Sequence, residues 1–182
     1  MYKTTLLLML LGSLATLSGC NRSLDRIEVG EFIDRADDAA RKRYAPAICE
    51  LRGENFTMKR RFQALDAAQP EEIKIGRKLF CREAGSFARI RQYKLERKSL
   101  DIELARDRKT ATVIAEYVET LPYYEPGMMP ATPDDFRDFQ IIETRDKSVV
   151  GIESGNPVFL SADAESRQTE LVPKSQLVLP YD

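Results

Sequence analysis

No histidine occurs in the 182 residues of this chain. That absence removes Ser-His-Asp and Cys-His catalysis, the commonest general base and most zinc sites. Proton-transfer chemistry would fall to carboxylates and tyrosines, as in an isomerase or hydratase with a carboxylate base and a tyrosine donor. Tyr93, Asp101, Glu116 and Tyr117 are the groups of that kind that could face a common interior. Side chains alternate between the faces of a strand, so a one-residue change of register reverses which of them face a common interior. Arg60 is a further candidate. It lies on the same strand face as Phe56, Met58 and Phe62, and a buried arginine is expensive unless paired. Arg60 either sits at the sheet rim, stem packed and head in water, or lines a polar pocket. No motif for a metal or an organic cofactor is present, and none is expected.

Another candidate surface lies in residues 122–135, which hold four prolines, Tyr123, Tyr124, Met128 and Met129. Long loops without regular structure are commonly functional or disordered, and these apolar groups could meet a ligand or a partner. The alternative is a loop folded over the end of its own core.

The first twenty residues carry an address. Lys3 gives a short positive region, residues 4–17 are uncharged with a Leu-rich centre, and Leu17-Ser18-Gly19-Cys20 closes the run. The apolar stretch is shorter than the roughly 20 residues that span a bilayer and fits a secretory signal. Leu-Ser-Gly-Cys in this place resembles the lipobox of bacterial lipoproteins. The resemblance implies cleavage after Gly19, diacylation of Cys20 (palmitate among the acyl chains) and membrane attachment through several chains. Asn21, where lipoproteins kept in the inner membrane carry Asp, favours the outer membrane with the domain facing the periplasm. The inner membrane and the cell surface are the alternatives.

That compartment is oxidising, so Cys49 and Cys81, the cysteines left after Cys20, are expected to form a disulfide. The alternative is two buried thiols on neighbouring helices. The net charge is near zero, yet basic residues predominate before position 110 and acidic ones after it. The halves either neutralise each other across the fold or present a charged face to a partner. Nothing in the sequence marks a nucleic-acid module, so nucleic acid is not an expected partner.

The expected organisation is a signal peptide over residues 1–19, a lipidated tether over 20–24, a domain over 25–162 and a polar C-terminal tail over 163–182. Val29, Ile33, Ala36, Ala40 and Tyr44 recur at spacings of three and four and predict a helix over residues 25–45. Pro46 should open a second short helix, closed by Gly53. Residues 56–62 read as strand, and Pro70, Glu71 and Glu72 read as the start of a helix running to 84 with Gly85 closing it. Strands follow at 93–95, 100–104, 110–121, 136–144, 149–153 and 158–160, with turns at 105–109, 146–148 and 155–157. Residues 99–121 form an antiparallel hairpin.

Helices first, one strand between them, then an antiparallel meander define an α+β domain with helices on one face of a curved sheet. This order of elements resembles the NTF2-like (SnoaL-like) cone, with a cystatin-like helix-plus-meander as the alternative. The cone would put Cys49 and Cys81 on adjacent helices. Members of that fold include enzymes, carriers and interaction modules, so fold does not settle function. The expected function is a membrane-anchored, non-catalytic domain that binds an envelope protein or a small molecule, an immunity or inhibitor protein being one version. A small-molecule pocket enzyme is the alternative.

Overall fold

The computed structural model describes residues 22–124, 135–177 and 179. Helix α1, Arg26–Arg41, starts where the Asp25 carboxylate accepts the Glu28 backbone N–H at 2.8 Å, a side-chain cap of the usual kind. It buries Val29, Phe32, Ile33 and Ala39. It stops short of the expected boundary because Arg43 turns left-handed, φ 51°. Helix α2, Ala45–Glu50, then opens with Pro46 in its first turn.

Strand β1, Arg52–Gln63, begins before Gly53, which therefore lies in the sheet and does not close the helix. Residues 71–76 correct another expectation. They form β2, Glu71–Gly76, and helix α3 begins only at Arg77, running to Phe87 with Gly85 inside it. Glu71-Glu72-Ile73-Lys74-Ile75 also alternates. Antiparallel pairing with β1, from Phe62↔Glu71 to Thr57↔Gly76, satisfies its backbone and outweighs the helix-start signal of Pro70 and the glutamates.

Strands β3, Lys94–Leu104, and β4, Thr110–Tyr123, form the expected hairpin. A bulge between Arg97 and Ser99 joins what read as two short strands. Strand β5, Asp138–Glu153, runs straight through the turn expected at Asp146-Lys147-Ser148. Its two-residue turn to β6 is made by Ser154 and Gly155, both at positive φ, 49° and 79°, a backbone shape suited to a tight hairpin. Strand β6 spans Asn156–Pro173, so residues 163–173, expected in a tail, are the second half of the longest strand.

The six strands make one curved, unclosed sheet in the order β2-β1-β6-β5-β4-β3. All neighbours are antiparallel except β1 and β6. Helix α1 lies across the concave face at one end, where Phe32 and Phe159 meet with ring centroids 4.7 Å apart among Val29, Ile33, Phe56, Val113 and Val150. A smaller cluster of Ala39, Ile48 and Ala84 packs the helices on each other. The expected Cys49–Cys81 disulfide links α2 to α3, Cα atoms 5.2 Å apart. Ion pairs on the convex face join the basic and acidic halves of the chain, as Arg61 with Asp163 and Glu165, and form within the basic half, as Lys59 with Glu72 at 2.9 Å.

Candidate functional site

The register across the concave face decides what faces the interior. At the helix-covered end one row reads Leu104, Ala111 and Val150, with Phe159 alongside, and the core is closed. Further along, Asp146 lies opposite Ala115 on one neighbour strand and Ala164 on the other. Two small side chains beside a carboxylate leave space. The cavity there has a volume of about 420 Å³ and is bounded by all three helices and the sheet, within the usual range for small-molecule sites.

Two ionisable groups form its floor. Arg52, the first residue of β1, lays its guanidinium against three rings, with its carbon 4.3 Å from the Phe159 centroid, 4.6 Å from Phe80 and 5.3 Å from Phe56. Burial brings its pKa down to about 10, so it keeps its charge at neutral pH. Burial pushes the Asp146 carboxyl up to about 6, against the bond donated by Ser148 Oγ at 3.0 Å and the attraction of Arg52.

The wall toward α1 is a hydrogen-bonded cluster. Asp37 projects from the apolar side of α1 and accepts from Arg97 Nη1 at 2.7 Å and Tyr117 OH at 3.1 Å. Burial raises its pKa in spite of Arg97. Tyr93 OH donates to Glu119 at 2.9 Å, and Thr144 Oγ1 lies 2.9 Å from Ser166 Oγ. Burial pushes the Tyr93 and Tyr117 phenols upward, so both stay protonated and act as donors. The arrangement offers a fixed cation, a carboxyl that changes charge near pH 6 and two phenol donors around an apolar interior.

Arg60, Tyr93 and Tyr117 are thus brought together on the cavity lining, with Arg60 also stacked on Phe62 at 5.4 Å. Asp101 and Glu116 are not. Both are exposed on the opposite face, where Glu116 accepts from Ser99 Oγ at 3.1 Å. The register that turns Leu100, Ala115 and Tyr117 inward necessarily turns these two carboxylates out. Tyr123 and Tyr124 end β4 away from the cavity, Tyr124 packing near Phe136 at 6.2 Å. Met128, Met129 and Cys20 lie outside the described residues.

Arg52, Asp37, Glu119 and Asp146 were not singled out by sequence reading. Asp37 had a usable signal, since it falls four residues after Ile33 and eight after Val29, on the apolar stripe of α1. Asp146 was hidden by the turn-like Asp-Lys-Ser it begins.

No family model and no curated protein matches this chain. Solved structures do. An NTF2-like protein from Cytophaga hutchinsonii superposes with a TM-score of 0.53 at 10% identity, over 78% of this chain and 98% of that one. A hexachlorocyclohexane dehydrochlorinase, LinA-type3, from Novosphingobium barchaimii LL02 superposes with a TM-score of 0.55 at 10% identity, over 85% and 94%. The fold is the α+β cone of the NTF2-like proteins. Among the described residues no helix is long and apolar enough to cross a membrane.

Proposed function

We propose that this chain is a lipid-anchored, periplasm-facing domain that captures a small molecule in the concave cavity. The observation that carries this reading is the space beside Asp146, kept open by Ala164 at a depth where buried polar groups surround it. A module built only to meet a protein surface would gain stability by filling that space with apolar side chains. The anchor is Cys20, and the membrane is the outer one.

The cavity is tested with a neutral aromatic probe. 2-Naphthamide should bind saturably at one site per chain, and Ala164→Leu, which fills the space beside Asp146, should weaken it at least about tenfold, the loss expected when a ligand must displace a side chain. Equal binding by the variant would place the probe elsewhere. For the anchor, radiolabelled palmitate fed to the producing cells should label the chain, and Cys20→Ala should abolish the label. A label that survives the substitution would overturn the lipobox reading.

One observation favours a second reading, a lyase or isomerase. Asp146 is buried, faces a cavity and changes charge at about pH 6, conditions that suit a proton acceptor at physiological pH. A solved structure of the same fold is named as a dehydrochlorinase. A binding domain returns its natural ligand unchanged after incubation, whereas this enzyme would return an isomer or an elimination product, and mass spectrometry separates the two.

A further inference from the structure

We infer that the cavity takes a small organic anion, an apolar body carrying a carboxylate or a similar oxyanion, and that Arg52 receives the anionic head. The inference rests on the cavity being a ligand site and names the class of ligand.

Arg52 is held at the mouth of β1, its carbonyl accepting Arg77 Nε at 3.0 Å. The face of its guanidinium is taken up by Phe159, Phe80 and Phe56. Its edge is not. Nε and Nη1 are both buried and neither has a hydrogen-bond partner. Buried charged donors without acceptors are rare and costly in folded proteins. Asp146, the carboxyl whose charge favours that of Arg52, takes its own bond from Ser148.

Two acids on the cavity wall are in the opposite condition. Asp37 already has Arg97 and Tyr117 as donors, and Glu119 has Tyr93. The unmet demand at this site is therefore for an acceptor, and the positive charge of the guanidinium itself favours one that is negative. A planar guanidinium prefers carboxylate-like groups, which it can bind through two parallel bonds. The rest of the lining sets the body. Ile48, Met58, Ile75, Phe80 and Phe87 supply apolar surface on the helix and β1–β2 sides, which suits a ring or a short chain and not a polar sugar or a peptide.

The test compares 2-naphthoate with 2-naphthamide, probes of matched shape that differ in charge. The lipid-anchored chain is used in nanodiscs, with empty nanodiscs as the blank. The carboxylate should bind about tenfold or more tightly than the amide, the preference expected for a bond to a charged group. In Arg52→Met, where an unbranched side chain still fills the aromatic niche, the two probes should differ by no more than about twofold. Equal binding of both probes by the unaltered protein leaves the cavity a ligand site and overturns the inference. So does a preference that survives in R52M. If R52M binds neither probe, Arg52→Gln decides. It keeps a polar head and loses the charge, so the preference for the carboxylate should fall to about twofold or less, and an undiminished preference overturns the inference. Absence of binding by either probe overturns the cavity reading and this inference together.

Discussion

Asp146→Asn makes the folded chain more stable at pH 7.5, by about 1–3 kcal/mol. The Asp146 carboxyl is raised from 3.8 to about 6 in the folded state, chiefly by burial. Below pH 4 folded and unfolded chains both hold the proton and nothing is lost. Between pH 4 and 6 the unfolded chain ionises while the folded chain still binds the proton, so stability falls as pH rises. Above pH 6 the full penalty is present, about 3 kcal/mol by linkage. The amide has the shape of the protonated carboxyl and no charge, so it escapes that penalty. Urea unfolding of both proteins at several pH values between 4.5 and 7.5 reads the effect. The variant's stability should fall less steeply over this range, the residual slope including Asp37, whose pKa is raised by the same cause. A variant less stable than its parent at pH 7.5 would show that Asp146 is needed as a counter-ion to Arg52. Arg52 carries a penalty of the same kind, since burial lowers its pKa. A pair of groups that both weaken the fold, set beside a cavity, is what a site retained for binding looks like.

The second large effect belongs to the disulfide. Replacing Cys49 and Cys81 together by Ser should lower stability by about 3–4 kcal/mol, the chain-entropy value for a loop of this length, the two being 32 residues apart. Reduction of the native protein should give the same loss, with a steeper denaturant slope because the unfolded chain loses its cross-link and exposes more surface. A loss below about 1 kcal/mol would mean that the unfolded chain keeps α2 near α3 without the cross-link. Helix α3 also carries Phe80, Ala84 and Phe87 on the cavity wall, so the reduced protein should bind probe more weakly as well.

These groups show what a sequence discloses and what it conceals. Helix α1 was legible because Val29, Ile33 and Ala36 repeat on one face, and the hairpin of β3 and β4 because β-branched residues alternate on either side of a charged turn. The failures share a cause. Asp146 and Ser148 look like turn residues, and Ala164, Ser166 and Gln168 look like part of a polar tail, yet all lie on the concave face. Polar residues that line a cavity carry the signature of solvent-facing ones, and only the partner strand reveals the difference. For β2 the competing signal was local. Pro70 and two glutamates favour a helix start, and six backbone pairings with β1, made across a gap in sequence, prevail.

Strand β6 has a consequence for when the chain can fold. It pairs with β5 beside it in sequence and with β1, about a hundred residues earlier. The β1–β2 pair and the β3–β5 meander are local and can form early, but neither can be joined to the other until the last of the described strands is present. Contacts of such long range slow folding. A chain threaded outward from its N-terminus would expose the inner side of β1 to the compartment until β6 arrived. For the export we propose, which needs an unfolded chain, that delay is an advantage, and it leaves open strand edges in need of protection until the final insertion.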